Sequence, residues 1–557
     1  MTEKADQKTV ARLIELFSHQ QYGDVRTKAK LLLDEYPDDH TTHNILASAY
    51  LKLGDKQQAY HHFRTAISIA PDYVQAHNNL AVAMIEDGDP QAAIACLTHA
   101  VKIKPDFADA ASNLSGAYLK TGRFKDAEKC ARRAIELNPN LVSAHNNLGA
   151  ALRETGRLAQ AAAAFRNALQ SDPDHFEATR NLGRALLLIG ELEEALTFLA
   201  RSLKLRPEDP EALVAMADYH RETGDPKSAL ECYQQAVSVD PDCADAQFGM
   251  GVLHLKSMNF SDAWPKMEFR WRRVTGSGLP YNDDIPIWTG EHASSLLIWK
   301  EQGVGDELMF NSCLPEIQNH CDRLIVTASR RLKPLFERSF GPGIEFVEHG
   351  QADELVSYEK QSSMLSALGR FRTERQDFQN RCPYLKPDPD LAERLSRQLG
   401  SLAEERPVIG ISWRTDNPET GFKRSISLSS LVRALPPDAF CVNLQYGDTS
   451  DEVGRLDPDG DRRVHTVDEV DNFVDLESFA ALISACDLVV SIDNSTAHFA
   501  GALGKECHVL LPFNAEWRWG SHGTEHSYWY RDMRLHWQTE PFRWDDALGS
   551  LKKTLAC

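Results

Sequence analysis

PDYVQAHNNLAVAMIEDGDPQAAIACLTHAVKIKP, residues 71–105, decides the fold of the first half of the chain. The stretch opens and closes on proline, carries Gly88 between two apolar-periodic halves, and places Ala93 shortly after that glycine. Each landmark recurs at a spacing of 34: Pro37, Pro71, Pro105, Pro139, Pro173, Pro207 and Pro241 form one series. Gly54, Gly88, Gly122, Gly156, Gly190 and Gly224 form a second, and Ala59, Ala93, Ala127, Ala161, Ala195, Ala229 and Ala263 a third.

A period of 34 is that of the tetratricopeptide repeat, two antiparallel helices per unit. In this reading the proline opens the first helix, where its missing N–H is harmless, and Asp72, Asp106, Asn140 and Asp174 follow in the electropositive first turn. The glycine breaks the chain between helices. The small alanines let the paired helices approach, and Leu80, Leu114, Leu148 and Leu182 fill the seam. Residues 1–36 read as a helical cap, 37–270 as repeats, and 271–292 as a linker, the pattern lapsing near Trp264.

One further ladder has no structural need behind it. Asn79, Asn113, Asn147 and Asn181 are again 34 apart, each in the middle of a first helix. Asparagine there is roughly 0.6 kcal/mol worse than alanine, so the four amides need partners. An amide can donate and accept together, which suits either an extended peptide in the superhelical groove or a neighbouring repeat helix. The array resembles the repeat domain of the eukaryotic protein O-linked N-acetylglucosamine transferases, whose asparagine ladder holds the target polypeptide. It departs from them at its ends, where Ile45 and Ala215 stand in the ladder position.

Composition excludes several classes. A chain of 557 residues is ample for two or three domains, and 42% hydrophobic with 25% charged residues is ordinary globular usage. The formal charge of −20 argues against a nucleic-acid partner, which needs a basic stripe. The charged start MTEKADQKTV and the lack of an apolar run long enough for a membrane span point to a cytoplasmic protein. The 11 cysteines include no CxxC pair, so no zinc site or disulfide framework is expected.

From about residue 275 the pattern changes to short apolar runs between amphipathic segments, the signature of an α/β region. LLIWKE (296–301), RLIVTA (323–328) and IEFVEH (344–349) read as strands of one lobe spanning 293–388. VIGISW (408–413), FCVNLQ (440–445), DLVVSI (487–492) and HVLLPF (508–513) read as strands of a second, spanning 389–557. The expected fold is an all-α superhelix of tetratricopeptide repeats followed by an α/β region of two Rossmann-like lobes. Ligands bind such sheets at the carboxyl ends of their strands.

Three loops at those ends carry the polar residues. EQGVGDELMF (301–310) has Gly303 and Gly305 for a tight turn and Asp306 near the start of the next helix, as a cleft acid or simply a cap. GISWRTDNPETGFKRSISL brings Arg414, Lys423 and Arg424, charges that suit a diphosphate. SIDNSTAHFAGALGK (491–505) runs from a strand through Asp493, Asn494, Ser495 and Thr496 into a helix carrying His498, an anion site by construction. Asp388-Pro389-Asp390 and Asp457-Pro458-Asp459 read as proline-rich turns, so no metal is called for.

Together with PYL, LQYGD, FVDLESFAALISACDLVV and PFNAEWRWG followed by WYRDMRL, these loops resemble the metal-independent two-lobed (GT-B) glycosyltransferases. The likeness is specifically to the heptosyltransferase-like region that bacteria append to tetratricopeptide repeats, and it covers roughly residues 285–545. The resemblance implies a nucleotide-sugar co-substrate and no resident cofactor. Asp306 falls on the family's general base, Lys423 or Arg424 on the group that neutralises the leaving diphosphate, and Asp493 to Thr496 with His498 on the donor turn. Gln445 of LQYGD and Arg414 join the donor set. Where relatives read Asp-Thr, this chain has Asp493-Asn494, and Asn514 and Glu516 depart near the expected sugar pocket. Relatives with this layout include flagellin-modifying transferases, so a protein acceptor, flagellin among them, is expected in the repeat groove. Two other readings stay open: a carbohydrate or lipid-linked acceptor with the repeats as a docking scaffold, and a non-catalytic adaptor.

Overall fold

The computed structural model describes residues 6–273, 284–350, 357–378, 382–416, 421–456 and 464–556. Asp457-Pro458-Asp459 lies outside the described residues. The chain divides into two compact units, Met1–Pro207 and Glu208–Cys557. No helix among the described residues is long and apolar enough to cross a membrane.

The first unit is all helix, from α1 (Gln7–Ser18) and α2 (Tyr22–Glu35) to α11 (Phe176–Ile189) and α12 (Leu192–Leu205). The three arithmetic series take their places in it and in the helices that follow. The six series glycines all have φ between +72° and +96°, a left-handed turn that a Cβ would strain. All seven series alanines are completely buried.

The prolines do not open helices. Pro71 precedes the helix Val74–Glu86 by three residues, and the same offset separates Pro105 from Ala108–Lys120 and Pro139 from Val142–Glu154. Their fixed φ serves the turn between repeats, so Asp72 and its counterparts lie before the helix and not in its first turn. The freed carbonyl then accepts a bond from the side chain six residues on: His43 to Pro37 (3.0 Å), His77 to Pro71 (2.8 Å), His145 to Pro139 (2.7 Å). Prolines at the first helical position do occur, outside the series, at Pro90, Pro210 and Pro226.

The second unit opens with four more repeat helices, α13 (Pro210–Glu222), α14 (Pro226–Val239), α15 (Ala244–Lys256) and α16 (Phe260–Met267). An α/β region follows with two all-parallel sheets. The first has the order β3-β2-β1-β4, with β1 Leu296–Trp299, β2 Leu324–Ala328, β3 Ile344–Glu348 and β4 Lys360–Ser363. The second has the order β10-β9-β8-β5-β6-β7: β5 Val408–Ser412, β6 Phe440–Asn443, β7 Val464–His465, β8 Leu488–Ile492, β9 Glu506–Leu511 and β10 Met533–Trp537. All seven runs read as strands form strands. The polar β4, the two-residue β7 and the alternating β10 were beyond a reading that looked for continuous apolar runs.

One hydrophobic core joins α15 and α16 to both sheets, with Leu255, Phe260 and Met267 in the same cluster as Leu296, Leu308, Val489 and Trp519. The repeat pattern lapses at Trp264 because this ring packs on Gly369, where a Cβ would come within 2.9 Å of it. Its indole N–H donates to the Arg372 carbonyl at 2.7 Å. Arg270, just beyond, donates to both carboxylate oxygens of Glu301 (2.8 and 3.1 Å), which pins the end of the repeats to the carboxyl end of β1.

Candidate functional site

The GxG loop follows β1. Gly303 precedes α17 (Val304–Phe310), and Asp306 in its first turn accepts from the Gly303 N–H at 3.3 Å, the capping role that its position allows. Gln302 beside it has φ +65°, a left-handed conformation that costs a non-glycine residue of order 1 kcal/mol or more. Gly305 is required by a close approach: a Cβ there would stand 2.8 Å from the His498 ring and 3.5 Å from Ser495 Cα. The loop after β1 therefore lies directly on the turn after β8, and the carboxyl ends of the two sheets meet.

The turn is built by Asn494. Its side-chain oxygen accepts from Thr496 N–H (3.0 Å) and Ser491 Oγ (2.9 Å), capping the helix Ser495–Ala502, while its amide nitrogen donates to Ser412 Oγ on β5 (2.8 Å). Ser495 is half-buried and Thr496 fully buried. Asp493, 4% exposed, accepts from the Trp519 indole N–H at 2.7 Å and pairs with Arg424 at 3.5 Å. His498 is 4% exposed, stacks on Trp519 and bonds the Tyr530 hydroxyl at 3.0 Å. Burial first, then the Arg518 charge, push its pKa down to about 3, so it stays neutral and serves as a packed ring.

Arg518 is the residue that ties the site together, and sequence reasoning passed over it. It ion-pairs with Asp306, donates to Gln302 at 3.0 Å and faces Glu516 at 3.7 Å. Burial works against its charge, yet Asp306, Glu516 and Asp493 together hold its pKa up. Lys423 pairs with Glu222 at 2.9 Å, and Asn514 donates to the other oxygen of that carboxylate at 3.1 Å while accepting from Lys256. Glu222 ends α13 and Lys256 ends α15, so repeat helices reach the site; nothing in the 34-residue period marked them.

Two predicted residues have other work. Gln445 is 2% exposed, and its side-chain oxygen accepts from Ser412 Oγ and from the N–H groups of Trp413 and Arg414 at 2.9–3.1 Å, so it shapes the loop after β5. The Arg414 guanidinium is turned to Glu452 (2.9 Å), Asp416 (2.6 Å) and the Asp448 carbonyl (2.8 Å). The run Asp388-Pro389-Asp390, read as a turn, instead opens the helix Pro389–Ala403: Asp388 caps it through the Leu391 N–H at 2.9 Å, and Pro389 and Asp390 stand in its first turn. A cavity of about 670 Å³ lies elsewhere, between Glu374–Phe378 and Thr524–Tyr528, and none of the predicted residues lines it.

In the first unit the asparagine ladder bonds from repeat to repeat. Asn79 donates to Asn44 (3.2 Å), Asn113 to Asn78 (2.8 Å), Asn147 to the Ser112 carbonyl (2.9 Å) and Asn181 to Asn146 (3.0 Å). Of the two partners open to these amides, the neighbouring helix holds each nitrogen. The acceptors form a second ladder, Asn44, Asn78 and Asn146 at multiples of 34, of which the sequence displays Asn78-Asn79 and Asn146-Asn147 as doublets.

Models of the tetratricopeptide repeat match residues 46–108, 146–210 and 214–263, and another matches 84–152. Protein FlbA of Caulobacter vibrioides is 27% identical over 357 residues, covering 60% of this chain and 59% of that protein; the chain thus spans about three fifths of this curated relative. Among solved structures, the APC/C hetero-tetramer Cut9–Hcn1 aligns at 18% identity over 45% of this chain and 49% of that one, with a TM-score of 0.41. PilF of Pseudomonas aeruginosa aligns at 20% over 37% and 95%, with a TM-score of 0.33. Period, helix pairing and matched models agree that the amino-terminal part of this chain is an array of tetratricopeptide repeats, a protein-interaction scaffold, joined to an α/β region with two parallel sheets.

Proposed function

We propose that the chain is a glycosyltransferase that moves a sugar from a nucleotide-sugar donor to a serine or threonine of a protein acceptor held by the repeats, with flagellin the first acceptor to try. The observation that carries the reading is the meeting of the loop after β1 with the turn after β8, which sets Asp306 and Asp493 around Arg518 and Trp519, beside Arg424.

In such a site the acceptor hydroxyl oxygen forms a bond to the anomeric carbon as the sugar–phosphate bond breaks, and its electron pair leaves with the diphosphate. Asp306 Oδ2, which accepts one long bond from Gly303, is the oxygen free to take the hydroxyl proton. Lys423, Arg424 and the amino end of the helix Ser495–Ala502 oppose the charge growing on the departing phosphate.

The test is a panel of nucleotide sugars with purified protein, followed by intact-mass analysis of flagellin from cells with and without the chain. Slow donor hydrolysis and an added monosaccharide-sized mass are expected. A silent panel, with acceptor masses unchanged, removes the transferase reading. One observation favours the adaptor instead: Asp306, Lys423 and Arg424 already have protein partners, so a ligand must displace or rearrange them. The same silent panel, with a partner protein still captured by the repeats, would select that alternative.

A further inference from the structure

The polar chain Lys423–Glu222–Asn514–Lys256 crosses from the α/β region to the repeat helices and back. Glu222 receives Lys423 on one oxygen (2.9 Å) and the Asn514 amide on the other (3.1 Å), and Asn514 accepts the Lys256 ammonium on its carbonyl. With Lys423 only 17% and Glu222 23% exposed, the pair sits largely out of water, an arrangement that apolar residues of similar volume would match or better in stability. A carboxylate on the last residue of a helix is also opposed by the helix dipole. Burial opposes the Glu222 charge, yet Lys423 and Arg221 hold its pKa down, so the carboxylate is compensated without being favoured over an apolar residue, and stability gives no special reason for it.

Its geometry gives one. Glu222 fixes the ammonium of Lys423, whose chain neighbour Arg424 pairs with Asp493 on the turn after β8. The helix ends that deliver Glu222 and Lys256 are themselves locked. Gly224, the repeat glycine with φ +80°, lets the Phe513 ring approach to where a Cβ would be 2.8 Å away, and the Lys256 carbonyl accepts from Ser521 at 2.8 Å.

We propose that the last two repeat hairpins supply part of the transferase site. Glu222 is a positioning residue for Lys423, and Lys256, bridged by Asn514, adds positive charge toward a phosphate-bearing ligand of the nucleoside-diphosphate class. The ligand's identity rests on the function proposed above; the anion-holding role of these residues does not. Lys256 faces Arg221 and Glu222 on α13, Glu516 on the loop after β9 and Asp493 on the turn after β8. Burial and then Arg221 push its pKa down to about 8, so anion binding should weaken as pH rises past that value.

The experiment titrates the full chain with inorganic pyrophosphate and with nucleoside diphosphates by calorimetry, from pH 6.5 to 9.5, for wild type, Glu222→Gln, Lys256→Met and Lys256→Arg. Melting curves report folding. Lys256→Met should bind about tenfold more weakly, the loss of one charge-assisted contact, and Glu222→Gln, although it removes a negative charge near the anion, should also bind more weakly because Lys423 is released from its place. Lys256→Met should also lack the wild-type decline centred near pH 8, taken as a difference profile so that the ligand's own titration cancels, and Lys256→Arg should restore the affinity. Wild-type affinity and an unchanged pH profile in folded Glu222→Gln and Lys256→Met overturn the proposal, as does a wild type that ignores pyrophosphate. A wild type that binds pyrophosphate in this way but transfers no sugar from any donor sinks the function proposed above and leaves this inference standing.

Discussion

Asp306 and Arg518 illustrate how a single pair decides what a site can do. The guanidinium is only 13% exposed, so removing Asp306 leaves its charge opposed mainly by Glu516 at 3.7 Å, whereas removing both partners of the pair leaves no such charge. Asp306→Asn should lower unfolding free energy by about 3 kcal/mol, and Asp306→Asn with Arg518→Met should recover part of that loss, as read from denaturant midpoints. Equal destabilisation by single and double variants would show that the pair is not coupled. His498 gives a pH prediction. Its folded pKa of about 3 lies below its ordinary 6.5, so the unfolded chain binds the extra proton between those values. The stability it lends is complete above pH 6.5 and is lost as pH falls toward 3. His498→Gln should flatten that part of the stability profile relative to wild type; parallel profiles would refute the assignment.

At the scale of elements, magnitudes decide how the asparagine ladder should be tested. Each Asn→Ala change removes one inter-repeat hydrogen bond, about 1 kcal/mol net, and regains roughly 0.6 kcal/mol of helix propensity. Changing Asn79, Asn113, Asn147 and Asn181 together should therefore cost only about 1–2 kcal/mol and leave the helices folded by circular dichroism, so that any loss of peptide affinity reports on recognition. Gly305→Ala acts the other way: with His498 only 2.8 Å from the new methyl, α17 must move, at about 1–3 kcal/mol, visible as a lower melting temperature. The elements were largely legible because spacing is written in the chain. Glycine and alanine fell where arithmetic put them. The prolines betrayed the period but not the phase, since a locked φ suits a turn as well as a first helical position. The four residues of β4, Lys-Gln-Ser-Ser, hold a sheet edge through backbone bonds that no side-chain pattern announces.

For the molecule as a whole, the border between compact units falls at Pro207 and Glu208. Leu255, Phe260 and Met267 belong to the core of the α/β region, each worth roughly 1.5–3 kcal/mol of burial. A fragment of residues 208–557 should melt cooperatively, while 293–557 should aggregate or melt without a transition; a cooperative melt from the shorter piece would contradict the shared core. The candidate site was legible to the extent that its residues follow the carboxyl ends of strands: Asp306, Lys423, Arg424 and Asp493 were all named from the segments after β1, β5 and β8. Arg518, Glu222 and Lys256 were not, because their roles depend on three-dimensional neighbours hundreds of residues away in sequence. The seating of Phe513 against Gly224 carries a consequence for lineage. An extra 34-residue module inserted between Glu222 and Lys256 would carry Glu222 away from Lys423 and Asn514, so repeat number is frozen across that stretch.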